Sequence, residues 1–145
     1  MRVLVVAAAA CVVLNGCMAV AVNQLVVDKH GKAFQPAPDE ALVYLYAVTS
    51  CNNNLSAVRM RHSQTFISVY PGTYKYFSVK PGVHHIALSA QDTIEIETQA
   101  GQNYFVEAEI VCGGAMPNVR QRVVDQEVGR LKVRESTLGL GVPNQ

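Results

Sequence analysis

His84 and His85 are the side chains best suited to proton transfer or metal ligation, and they are neighbours in the sequence. Adjacent residues of a strand point to opposite faces, so the two rings cannot close on one ion within one chain. Neither has a thiol or carboxylate at ligand spacing. With a tight turn at Pro81-Gly82, His84 shares a side with Phe77, Val79 and Ile86 as a sheltered histidine. His85 then lies at the surface with Tyr76 and Ser78. Glu95, Glu97, Glu107 and Glu109 offer oxygen for a hard cation. Such an ion wants oxygens converging from a loop, so the four are read as a solvated strand face. There is no Gly-x-Ser-x-Gly nucleophile turn. Gly113-Gly114 lacks the helix start and Lys-Ser/Thr of a phosphate cradle. The expectation is therefore no catalytic residue, no metal, no cofactor and no enzymatic activity. Tyr44, Tyr46, Tyr70, Tyr74, Tyr76 and Tyr104 crowd the apolar runs and suit core edges and sheet pairs. Tyr74 and Tyr76, with His85, are the candidate interaction surface.

The chain of 145 residues is 50% hydrophobic and 16% charged, which suits one domain with a real core. Met1 and Arg2 precede an apolar run, residues 3–13, that is too short for a hydrocarbon core needing about 20 residues. Leu14-Asn15-Gly16-Cys17 follows, with a small residue at the expected cleavage point. The four residues resemble a bacterial lipobox, with Asn15 an atypical member. The resemblance implies cleavage after Gly16, diacylglycerol on the Cys17 thiol and a fatty acyl chain such as palmitate on its amino group. Several chains on one residue anchor stably. Met18, rather than Asp, after Cys17 favours the periplasmic face of the outer membrane by resemblance to other bacterial lipoproteins. The competing reading is an uncleaved anchor helix over residues 3–27, which Asn15, Gly16, Asn23 and Gln24 weaken because buried amides are costly in lipid. Removing Arg2 from the 12 basic residues leaves 11 against 11 acidic ones, a balance that gives no reason to expect nucleic acid as partner.

Of the 4 cysteines, the lipobox resemblance implies that Cys11 leaves with the signal and that Cys17 is acylated. Cys51 and Cys112 remain, an even pair in an oxidising compartment. A disulfide between them is expected; the alternatives are a buried thiol pair or a metal site, and zinc lacks the further ligands it needs.

These residues must be positioned by strands. Residues 27–39 contain Asp, Lys, His, Gly, Gln and two prolines with little periodicity, so they read as a tether. Residues 41–48 are almost wholly apolar and predict an inner strand. Further strands are predicted over 55–60, 64–69, 74–79, 83–90, 93–98, 103–111, 119–124 and 130–134, with a turn or short helix at 125–129. Turns at Pro71-Gly72 and Pro81-Gly82 suit Pro followed by Gly. Residues 98–102 suit a hairpin loop with Gly101 in the left-handed region. That register sets Ile96 opposite Tyr104 and Ile94 opposite Val106. One face is then Ile94, Ile96, Tyr104, Val106, Ala108 and Ile110; the other is wet and carries the four glutamates with Asn103 and Phe105. Many short strands with regular turns predict an all-β fold, a small antiparallel β-sandwich or barrel.

The lipobox, a Pro-containing tether, Ala41-Leu42-Val43-Tyr44-Leu45-Tyr46, Gly72-Thr73-Tyr74, Val79-Lys80-Pro81-Gly82-Val83-His84 and Ala100-Gly101-Gln102-Asn103-Tyr104-Phe105 together resemble a bacterial lipoprotein family carrying a domain of unknown function. The resemblance covers residues 38–135 and implies a transthyretin-like, or carboxypeptidase-regulatory-like, β-sandwich. It supplies no catalytic residues, and the Cys51 and Cys112 pair is not part of its pattern. The expected organisation is a signal peptide over 1–16, a lipid-anchored tether over 17–38, a sandwich over 39–135 and a tail over 136–145. The expected role is a membrane-anchored, non-enzymatic interaction or accessory module with an envelope protein as partner. A small-ligand carrier built on the sandwich is the alternative.

Overall fold

The run Ala41–Thr49 forms β1, a strand buried on both faces, as its unbroken apolar character requires. The structure is a computed structural model, and the residues it describes are 27–52, 56–113 and 118–139. Cys17 and the expected signal segment lie outside them. After β1 come β2 (Val58–His62), β3 (Thr65–Val69), β4 (Thr73–Val79), β5 (Gly82–Ala87), β6 (Thr93–Thr98), β7 (Asn103–Val111), β8 (Asn118–Val124), the helix α1 (Gln126–Glu135) and the short β9 (Thr137–Leu138). One sheet has the order β8-β7-β1-β4-β9 and the other β3-β2-β5-β6. They face each other as a β-sandwich. Val43, Leu45 and Ala47 of β1 meet Val58 and Met60 of β2, Ile67, Val69, Ile86 and Ile96, with Val106, Ala108 and Ile110 of β7, in the core between the sheets.

The five-stranded sheet is mixed, because β1 runs parallel to β7 and β4 parallel to β9. The expected hairpin of residues 93–111 does not form. Gly101 has φ +76° as its turn position predicted, but β6 pairs with β5 in one sheet and β7 with β1 and β8 in the other. The loop therefore crosses between sheets. The inward set was nonetheless right: Ile94, Ile96, Tyr104, Val106, Ala108 and Ile110 all reach the core between the sheets. A period of two assigns residues to a face, and two strands facing each other across a core show the same pattern as two strands side by side.

Residues 125–129, expected as a turn or one short helix, and 130–134, expected as a strand, join in one helix over Gln126–Glu135. The Asp125 carboxylate accepts from the Glu127 N–H at 2.7 Å and caps the start, while Lys132 and Arg134 occupy the last turn. Gly129 and Val133, four residues apart, are the buried stripe. Beyond it, Thr137–Leu138 of the expected tail pairs with Thr73 and Tyr74 of β4.

Residues 27–34 of the expected tether are folded onto the five-stranded sheet. Phe34 is buried, and residues 27–31 form helical backbone against Tyr74 and Tyr76. Phe34 supplies the apolar anchor that a solvated tether would lack.

Candidate functional site

Cross-strand register builds two rows on the outer face of the five-stranded sheet. One row is Val124, Phe105, Tyr44 and Tyr76; the next is Arg122, Glu107, Tyr46 and Tyr74. In the first, the Tyr44 ring stacks on Phe105 at 4.9 Å and on Tyr76 at 5.5 Å between centroids. Two pieces of chain cover these rings. From α1, Gly129 sits so close that a Cβ there would meet Phe105 Cγ at 2.2 Å. From the amino-terminal side, Phe34 packs on Tyr44 and Phe105, and the Arg130 and Arg134 guanidinium groups lie over its ring.

The tyrosine hydroxyls hold the same segment by its backbone. Tyr44 donates to the Gly31 carbonyl at 2.8 Å, Tyr76 to the Val27 carbonyl at 3.2 Å, and Tyr74 to the Asp28 carboxylate at 2.8 Å. The Asn103 amide donates to the Phe34 carbonyl at 3.0 Å. Buried amphipathic rings with their polar ends satisfied are what Tyr does best. Burial holds the phenols of Tyr44, Tyr46, Tyr74 and Tyr76 protonated beyond the ordinary tyrosine range; Asp28 adds to this at Tyr74 and Tyr76, and Glu107 at Tyr46. A pKa raised on folding contributes stability in full below the unfolded value of about 10 and loses it as pH rises further. An alkaline absorbance titration should therefore show these four phenols ionising only together with cooperative unfolding.

The second row corrects the expected wet side. Glu107 is 4% exposed, accepts from Tyr46 Oη at 3.1 Å and takes two bonds from Arg122, at 2.9 and 2.6 Å. Asn103 and Phe105 are buried on the same side, whereas Glu95 and Glu97 are exposed on the other sheet. Glu107→Ala should cost about 1–3 kcal/mol in denaturant melts, because the buried Tyr46 hydroxyl loses its acceptor. Tyr46→Phe should remove most of that cost in the double variant.

The outer face of the four-stranded sheet is different in kind. No described element packs on it. Phe66 and Val83 are 55% and 54% exposed. Arg59 stands over the Phe66 ring at 4.0 Å, and Arg61 lies opposite Phe66 in register. On the other half His85 pairs with Glu95 at 3.2 Å, and Glu97 lies opposite Val83. The face is thus apolar at two points, cationic toward β3 and anionic toward β6.

The sequence-predicted residues are split between these places. Tyr74 is fully buried and Tyr76 half-buried beneath the amino-terminal segment, while His85 is on the opposite sheet. They form no common surface, because β4 and β5 lie in different sheets, joined by a crossing and not by the tight hairpin assumed for Pro81-Gly82. His84 points inward as expected. Its partner is one the sequence did not reveal: His62 of β2, whose Nε2 lies 3.2 Å from His84 Nδ1. Cys51 and Cys112 are joined by a disulfide with Cα atoms 5.3 Å apart. Among the described residues no group of three or more His, Cys, Asp or Glu converges as a metal centre, and no helix is long and apolar enough to cross a membrane.

No family model, curated protein or solved structure matches the chain.

Proposed function

We propose that this chain is a membrane-anchored, non-enzymatic lipoprotein of the bacterial envelope, and that it docks a protein partner on the outer face of its four-stranded sheet. The observation that carries the reading is unequal coverage. Among the described residues, one side of the sandwich is closed by α1 and residues 27–34, whereas the other leaves Phe66 of the edge strand β3, beside Arg59 and Arg61, and Val83 of β5, beside Glu97, in water. Exposed apolar residues rimmed by charge suit a protein interface. The partner it fits brings apolar groups to Phe66 and to Val83, carboxylates facing β2 and β3, and cations facing β6.

The lipid anchor rests on the residues around Cys17. With residues 27–34 folded down, the stretch from residue 17 to residue 27 reaches at most about 35 Å. Lipid on Cys17 would hold the domain close to the bilayer, its chain arriving on the side away from the bare face. The two facing sheets and the turn glycines also support the transthyretin-like fold of the family that the motifs resemble.

A photo-crosslinking residue at Phe66 or Val83, tested in cells, should capture a discrete protein. One at Leu131, exposed on α1, should not. Charge reversal at Arg59 and Arg61 should abolish the Phe66 adduct. Adducts with lipid or peptidoglycan alone at both sheet positions would refute the docking face.

A further inference from the structure

We propose that His62 and His84 form a two-imidazole site for a borderline divalent transition ion of the zinc or copper kind, and that the ion clamps β2 to β5. The two ring nitrogens lie 3.2 Å apart, on neighbouring strands of one sheet. Nitrogens each about 2.0–2.1 Å from one tetrahedral ion stand roughly 3.3 Å apart. Imidazole is a preferred ligand of zinc and copper.

The surroundings prepare His84 for this use. Its Nε2 lies 2.8 Å from the Lys80 carbonyl oxygen, which can only accept. The ring proton is therefore assigned to Nε2, and the lone pair to Nδ1, directed at His62. A ligand histidine whose second nitrogen donates to a backbone carbonyl is the usual outer-shell arrangement of metal sites. The Thr98 hydroxyl lies 3.2 Å from the same carbonyl and 3.1 Å from that of Gly82, sharing its one proton between them, and helps fix the turn. On the other side the His62 ring stacks on Phe77 at 4.8 Å between centroids, which limits its rotation.

Without metal, His62 Nε2–H donates to His84 Nδ1 and the pair is a simple hydrogen bond. With metal, that proton moves to His62 Nδ1, and both facing lone pairs bind the ion. Water completes the coordination. The consequence lies in the seam itself. The β2 and β5 ladder has two register pairs, Arg61 with Ala87 and His62 with Ile86. A bound ion would brace this short seam and with it the β2–β3 hairpin, which carries Arg59, Arg61 and Phe66. The site stands on its own geometry, whatever that face binds.

The test is zinc chloride titration of the tag-free mature protein in detergent, by calorimetry and by nitrogen NMR of the histidine rings. One equivalent should bind, with the largest shifts at His62 Nε2 and His84 Nδ1. Affinity should fall on the order of tenfold or more in His62→Gln and in His84→Gln, and stay unchanged in His30→Gln and His85→Gln. The wild-type ring shifts decide the matter alone if a Gln variant does not fold. Absence of saturable binding, shifts confined to His30 or His85, or undiminished affinity in both site variants would each overturn the proposal.

Discussion

Replacing Cys51 and Cys112 together by serine should lower the free energy of unfolding by about 4 kcal/mol in the chain-entropy description of a cross-link. The bridge joins positions 61 apart in sequence. The ladder shows why the two meet. β1 and β7 run parallel in a register that sets Leu42 beside Asn103 and Thr49 beside Ile110, an offset of 61 throughout. Carrying that offset two residues past Thr49 places Cys51 beside Cys112. The bridge therefore continues the central parallel pair of the sheet, and the native backbone already brings the cysteines together. Parallel pairing requires the chain to leave and return, so the loop it closes is long and costly to order. Urea melts of the oxidised protein and the double serine variant measure the difference. A loss below about 1 kcal/mol would mean that strand pairing alone carries this end of the sheet.

The second large effect concerns the helix on the aromatic face. Phe105→Ala should cost about 3–5 kcal/mol, the range for a fully buried ring. Gly129→Ala should cost about 1–3 kcal/mol by overpacking, since its Cβ would fall 2.2 Å from Phe105 Cγ. Removing the ring creates the space that the methyl group needs. The double variant should then be more stable than the sum of the two losses implies, and the difference is the coupling between helix and sheet. Additive losses would show that α1 does not seat on Phe105. The same experiment reports on Phe34 and residues 27–34, because Phe34 packs on that ring.

Much of this fold was legible in the sequence, and the failures have one origin. Residues 41–48 declared a strand buried twice, and β1 is that strand. The inward set from Ile94 to Ile110 was correct as a set, yet its strands belong to different sheets. Alternation encodes a side and carries no record of the partner. The same gap hid the His62 and His84 pair, which follows only once β2 is known to lie beside β5. Glu107 looked solvated because β7 carries glutamates on its outer side. It is dry because α1 and Phe34 cover the neighbouring rings and Arg122 closes over the carboxylate. The helix is legible only as a short alternative to a turn at 125–129, and its extension through residue 135 is not, because Val128, Leu131 and Val133 are few and Gly129 weakens the pattern. The Asp125 cap and the Lys132 and Arg134 end were its available signals. Residues 27–34 passed for a tether because their attachment is made by hydroxyls donating to backbone carbonyls, which no apolar period announces.

The lipid on Cys17 is the claim on which compartment and disulfide chemistry rest, and with them the orientation of the bare sheet. Intact mass measurement of the protein extracted from membranes, with fragmentation from the amino end, tests it most directly. The expected species begins at Cys17, carries diacylglycerol on its thiol and a fatty acyl chain on its amino group, and lacks residues 1–16. A chain that retains residues 1–16, or one with an unmodified cysteine at position 17, would contradict the account and favour an uncleaved helical anchor or a freely released domain.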